Sequence, residues 1–230
     1  MEKPLFPAKY MRITQGYKEG SHIDSYAIDN ADKDGGISTI YAPFTGIIKK
    51  IYANDANEVW LESVDKVEYP DGTIDFLTMM FAHANDVSNL FVGKRINKGE
   101  AFYKEGMKGN ATGNHCHMEC GKGKFIGSGW HKNNSGYWSI NNGKLPEECL
   151  WIDDSIIILD NHNISFKKIS TEIVDKNNEE ESPKIVEKET PKEISTEKVD
   201  KTKLVFIAPK SDLYGVYLKE KEKLIIEESS

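Results

Sequence analysis

The chain has 230 residues, 38% of them hydrophobic and 10% aromatic, and a formal net charge of −7. This length suits one large domain or one domain plus a small appendage, and the acidic balance argues against a grip on nucleic acid or anionic lipid. Apolar stretches such as Ile156-Ile157-Ile158-Leu159 are too short to span a bilayer, so no membrane insertion is expected.

The opening run, Met1-Glu2-Lys3-Pro4-Leu5-Phe6-Pro7, lacks an apolar h-region and a small-residue cleavage site, so no signal peptide is expected. The three cysteines, Cys116, Cys120 and Cys149, are too few and odd in number for a disulfide framework. Both features fit synthesis in a reducing cytoplasm.

Two short strands are expected over residues 38–43 and 47–52, with a turn at Phe44-Thr45-Gly46. Residues 58–64 and 74–83 read as two more, joined through Asp71-Gly72, a strong hairpin signal between alternating runs. Residues 86–91 could form one helical turn. Short strands at this spacing, without long helical periodicity, predict an all-β domain of mainly antiparallel sheet over residues 1–168. From 169 to 203 the text is charged, punctuated by Pro183 and Pro191 and free of aromatics. Such a segment buries too little apolar surface to offset its ordering entropy, and a disordered linker is expected. Strand-like text resumes over 204–230, a small β segment that would need docking or self-association, and hence a possible homo-oligomer.

Thr112-Gly113-Asn114-His115-Cys116-His117-Met118-Glu119 reads as a short strand entered through a Gly-Asn turn. Alternation puts His115, His117 and Glu119 on one face and Cys116 and Met118 on the other. Two histidines on one face are suited to binding a metal and handling a proton beside it.

Four segments, in order, resemble the lysostaphin-type zinc endopeptidases, which cleave peptide bonds in bacterial peptidoglycan. Ser21-His22-Ile23-Asp24-Ser25-Tyr26-Ala27-Ile28-Asp29 is similar to that family's opening motif. Ile40-Tyr41-Ala42-Pro43-Phe44-Thr45-Gly46-Ile47-Ile48 resembles its strand, Gly turn and strand. Phe81-Ala82-His83-Ala84 is like its Tyr-Ala/Gly-His-Leu segment, and Gly113-Asn114-His115-Cys116-His117-Met118-Glu119 is like Gly-Pro-His-Leu-His-Phe-Glu. Between the last two, residues 92–100 resemble its Val-Gly-x-x-Val-x-x-Gly turn.

The resemblance implies a groove-borne zinc site with His22, Asp29 and His117 as ligands to Zn2+, and His83 and His115 as catalytic histidines in either order. Two neutral imidazoles and one carboxylate around zinc leave a net charge of about +1, enough to acidify water. His22 and Asp29 are seven residues apart, which on a continuous strand would place them on opposite faces, so a bend near Asp24-Ser25 is required. Asp24 is the rival ligand. Cys116 stands where the family has an apolar residue and reads as a small hydrophobe. Glu119 reads either as an acceptor orienting a ligand or as a plain structural carboxylate. His131 and His162 read as surface residues, and Trp130 and Trp138 as either groove-lining or core.

The function expected is hydrolysis of peptidoglycan stem peptides or cross-bridges in phage-mediated lysis. The protein would be made in the host cytoplasm and act on the wall after release, or be carried on a phage particle. The alternative is a non-catalytic wall-binding or phage structural protein that keeps the peptidase fold.

Overall fold

The computed structural model describes residues 1–53 and 55–169. The linker expected to 203 and the β segment expected over 204–230 lie outside the described residues from position 170 onward. No helix among the described residues is long and apolar enough to cross a membrane.

The described residues form an all-β, mainly antiparallel fold. Strands β1 (Tyr10–Gln15) and β2 (Ile28–Asn30) flank a single 3-10 turn at Gly20–His22. Next come β3 (Thr39–Tyr41), β4 (Gly46–Tyr52) and β5 (Glu58–Ser63). The two-residue strands β6 (Val67–Glu68) and β7 (Ile74–Asp75) precede β8 (Leu77–Ala82), β9 (Arg95–Ile96) and β10 (Ala101–Lys104). β11 (Cys116–Lys122) is followed by β12 (Trp130–Lys132), β13 (Trp138–Ile140) and β14 (Gly143–Lys144). One helical turn, α1 (Pro146–Cys149), leads to β15 (Trp151–Ile152), β16 (Ile157–Asp160) and β17 (Lys167–Lys168).

The main sheet runs β16-β1-β2-β11-β8-β5-β4-β9, with β14 also pairing β11. Only the β16–β1 contact within it is parallel. β8 lies near the centre, and all six of its residues are buried. A strand covered on both faces reads as a continuous apolar run, which is the text Leu77-Thr78-Met79-Met80-Phe81-Ala82.

The two faces have different tasks. Leu77, Met79 and Phe81 of β8 join Val59, Leu61, Cys116 and Met118 in the main core. Burial of each such large side chain contributes about 1.5–3 kcal/mol. Met80, Ala82 and Trp60 face the other way, into a smaller cluster with Ile140, Phe125 and Trp130. Gly46 opens β4 where a Cβ would lie 2.7 Å from Leu61 Cγ, so only glycine lets the strands approach there.

The Asp71-Gly72 hairpin is present: Gly72 has φ +85°, and Asp71 Oδ1 accepts the Thr73 N–H at 2.8 Å. The ribbon β6–β7 tips the longer β5–β8 pair. Residues 86–91 form a hydrogen-bonded turn, Leu90 N–H to the Val87 carbonyl at 3.0 Å, and not a helix. β3 and β4 are both strands, but β3 pairs with β10 instead of its neighbour in sequence.

Glu105 is buried just after β10. Its carboxylate accepts the backbone N–H of Asp32 at 2.9 Å and of Ser38 at 3.1 Å, and the Asn30 amide at 3.5 Å. It thereby fastens the loop after β2 to the sheet. Burial pushes its pKa up to about 7, although the two backbone N–H groups pull the other way. The native state therefore holds this proton up to a higher pH than the unfolded chain does. Stability from Glu105 is fully present below the unfolded carboxylate range and is lost as pH rises through about 7. The stability advantage of the native chain over Glu105→Gln should shrink between pH 5 and pH 8 in urea titrations; a pH-independent difference would refute this.

Candidate metal centre

The ladder registers place five side chains in one row across the sheet. Asp29 of β2 stands opposite His117 of β11, which stands opposite Ala82 of β8. Val59 pairs with Phe81, so Glu58 follows as the neighbour of Ala82, and Glu58 pairs with Tyr52 of β4. The row belongs to the face opposite the main core, because Val59, Phe81 and Met118 fill that core.

His22 reaches the end of this row from the 3-10 turn. Asp24 adopts φ +58°, the bend that brings His22 and Asp29 to the same side. The His22 Nε2–Asp29 Oδ1 distance is 3.3 Å and the His117 Nδ1–Asp29 Oδ1 distance 3.0 Å. Donor atoms of the three residues all lie within 4.8 Å of one another. Tetrahedral zinc with bonds of about 2.0–2.1 Å sets its ligand atoms about 3.3 Å apart, so the spacing suits such an ion.

Tautomers sharpen this fit. His22 Nδ1 lies 2.9 Å from the Gly16 carbonyl, which only accepts, so Nδ1 is the donor there and Nε2 is the nitrogen turned to Asp29. With a metal bound, this Nε2 would be the coordinating atom. His117 has a carboxylate at each nitrogen, Asp29 at Nδ1 and Glu119 Oε1 at 3.4 Å from Nε2. Burial pushes the His117 pKa down, but the hydrogen bonds to Asp29 and Glu119 outweigh it and raise it to about 10. Burial alone would raise the Asp29 carboxyl; His117 and His22 instead hold it far below the usual carboxylate range. The donor set is thus built around positive charge, and His22, Asp29 and His117 could hold a divalent metal.

His83 and His115 stand beside the trio. Their rings are 4.5 Å apart, and His83 is 5.9 Å from His117. His83 Nδ1 lies 2.8 Å from the Lys108 carbonyl, and His115 Nδ1 lies 2.8 Å from the Gly113 carbonyl. Each ring therefore donates through Nδ1 and leaves Nε2 as its outer nitrogen, which in His115 lies 3.7 Å from Asp29 Oδ2. Burial drives the His83 pKa down to about 4 against the Lys108 hydrogen bond, with the charges of His117 and His115 adding to the fall. His83 is thus a neutral base at neutral pH.

His83 sits at φ +81°, a conformation that costs a non-glycine residue about 1–3 kcal/mol. Its carbonyl accepts the Lys108 N–H at 3.1 Å, and its N–H donates to the Ala56 carbonyl at 2.7 Å. Gly106 makes this possible, because a Cβ there would lie 2.4 Å from the His83 carbonyl oxygen. Gly106 also bridges to His115, so one glycine seats both histidines.

Asp24 lies outside the trio; its carboxylate turns to the Ser135 hydroxyl. Cys116, Cys120 and Cys149 are buried thiols. His131 is exposed, and His162 pairs with Glu19 at 2.9 Å. Trp130 packs on Trp60 at 4.7 Å, whereas Trp138 is 59% exposed, so the two tryptophans part company. Glu119 is buried, with Oε2 accepting the Ile140 N–H at 3.1 Å. It links His117 to β13 and is a buried, hydrogen-bonded carboxylate rather than a solvated one. The carbonyls of Gly16, Gly113 and Lys108 were not anticipated from the sequence, because backbone acceptors leave no residue-type signal. Glu58 was also missed, although the alternation Glu58-Val59-Trp60-Leu61-Glu62 marks its face.

No family model matches the chain. A curated relative, morphogenesis protein 1 of Bacillus phage B103, is 32% identical over 130 residues, covering 55% of this chain. The match spans only 34% of that protein's length. Among solved structures, the catalytic domain of the prophage-encoded M23 protein EnpA from Enterococcus faecalis is 20% identical at a TM-score of 0.40, covering 53% of this chain and 88% of that one. A zinc-containing peptidase from Vibrio cholerae is 18% identical at a TM-score of 0.38, covering 52% and 36%. The catalytic domain of the antimicrobial peptidase lysostaphin from Staphylococcus simulans is 18% identical at 0.36, covering 54% and 84%.

Loss of an acceptor behind a metal-binding histidine typically weakens metal affinity by about 10–100-fold. Glu119→Gln should therefore bind zinc about 10-fold or more weakly in chelator competition; an unchanged affinity would remove Glu119 from the metal centre.

Proposed function

We propose that this chain is a zinc-dependent endopeptidase that hydrolyses peptide bonds in bacterial peptidoglycan stem peptides or cross-bridges, acting in phage-mediated lysis. In this reading His22, Asp29 and His117 hold the metal and His83 and His115 are catalytic. One observation carries it: three donors lie within 4.8 Å of one another, flanked by two further imidazoles whose Nδ1 atoms are held by backbone carbonyls. The ordered motifs of the sequence support the substrate class, and the Bacillus phage relative supports a phage setting.

A bound zinc ion would supply Lewis acidity, acidifying water and polarising the scissile carbonyl. The protein's own groups do the rest. Asp29 would offset one of the cation's two charges while the two ligand imidazoles would coordinate as neutral donors, and the Gly16 and Glu119 hydrogen bonds would fix which nitrogens face it. His83 Nε2, unprotonated above about pH 4, is poised to take a proton from the attacking water and return it to the leaving amine. Once protonated, Nε2–H of His83 or His115 becomes a donor for the developing oxyanion. The two rings present equivalent atoms, and separate variants assign the roles.

A second reading is a phage-particle component that holds the wall without cutting it; the relative's description as a morphogenesis protein supports only its place in phage assembly. Digestion of purified sacculi, followed by mass spectrometry of released fragments, separates the two. The peptidase reading expects new peptide termini, loss of cleavage on chelation and recovery with zinc. His83→Ala and His115→Ala should each cut about 100-fold or more slowly while retaining zinc. Chelator-insensitive cleavage would contradict the metal mechanism, and zinc bound without fragments from any wall type would favour the particle component.

A further inference from the structure

The row that builds the metal centre does not stop at His117. Two strands further along the same face stands Glu58, with Ala82 between them. Strand spacing of about 4.8 Å puts Glu58 about 10 Å from His117, measured backbone to backbone. Ala82 contributes only a methyl group and is itself buried in the smaller cluster with Trp60 and Ile140, so the imidazole and the carboxylate flank that cluster.

Glu58 is unusual among the acids near the site. Asp29 has two imidazoles, Glu119 has His117 and the Ile140 N–H, and Glu62 has Lys49 at 3.3 Å and the Phe125 N–H at 2.6 Å. Glu58 accepts one neutral donor, Trp130 Nε1 at 3.2 Å on Oε2, and forms no ion pair among the described residues. It is half-buried, and Trp130 and Trp60 form an aromatic wall beside it. Tyr52, its ladder partner, packs on the same aromatic cluster, and its hydroxyl is taken by the Ser128 carbonyl at 2.9 Å rather than by Glu58. Burial raises the Glu58 pKa, as expected of a carboxylate with too little compensation. A half-desolvated carboxylate beside aromatic rings, with an oxygen that no cation partners, is complementary to a primary ammonium.

We propose that Glu58 is a specificity-determining subsite for the amino group of a substrate peptide, about three residues from the scissile bond. The spacing follows from extended chain at about 3.3 Å per residue over about 10 Å. The proposal rests on the peptidase reading for the position of the scissile bond, but recognition of the ammonium does not require cleavage. The amine is either a lysine-type side-chain amine or a free amino terminus, since both present the same charge and donors.

The test uses the full chain loaded with zinc and synthetic peptides of stem and cross-bridge composition. Each peptide is made with its side-chain amine free or acetylated and, separately, with its amino terminus free or acetylated. Binding is followed by fluorescence anisotropy and cleavage by mass spectrometry. The native chain is expected to bind one free-amine peptide at least 10-fold more tightly than its acetylated twin, and the responding position names the source. In Glu58→Gln the ratio should collapse to within about twofold, with zinc still at one per chain. Glutamine retains a carbonyl oxygen for Trp130 Nε1, so the fold and the aromatic wall should persist, as a matching melting temperature would show. Discrimination that survives in Glu58→Gln, or is absent from the native chain, overturns the proposal. Cleavage without discrimination overturns Glu58 alone. Discrimination without cleavage overturns only the peptidase reading.

Discussion

The pairing of Asp29 with His117 across the β2–β11 ladder is the contact on which the site depends. Side chains alternate along a strand, so slipping either strand by one residue would send one of the two into the opposite face. The register is held by what lies behind it. Ile28, Cys116 and Met118 are buried in the main core, and a slip would drag them into solvent while forcing His117 into the apolar interior. Packing on one face thus fixes the chemistry on the other.

Around that pair the backbone supplies most of the orientation. Carbonyls of Gly16, Gly113 and Lys108 each engage an Nδ1, so three of the four histidines at the site present Nε2 inward. His117 is the exception, directing Nδ1 at Asp29 and Nε2 at Glu119. The left-handed conformation of His83 is the strained point, tolerated because hydrogen bonds to Ala56 and Lys108 and the close approach of Gly106 hold it from both sides. A strained residue at a site of proposed chemistry is where rigidity is spent on positioning rather than on stability.

Much of this was legible in the sequence, for identifiable reasons. The Asp71-Gly72 hairpin was readable because a turn is a local event with strong residue preferences. The His115/His117 alternation and the bend between His22 and Asp29 were readable because strand periodicity allows few alternatives. The pairing of β3 with β10 was not, since a ladder between segments some 60 residues apart leaves no local trace. Nor was α1, whose four residues are too few to show helical periodicity. Spacing alone did not show that Asp24 lies against Ser135 while Asp29 lies beside His22 and His117. The buried Glu105, anchoring the loop after β2, looked like any other charged residue of a polar stretch.

The measurement that most directly tests the metal centre is zinc K-edge X-ray absorption of the purified full chain. One zinc per chain is predicted, bound by two imidazole nitrogens, one carboxylate oxygen and one further light atom at about 2.0–2.1 Å. A sulfur scatterer at about 2.3 Å, which would implicate Cys116, or a chain that binds no zinc, would contradict the assignment of His22, Asp29 and His117.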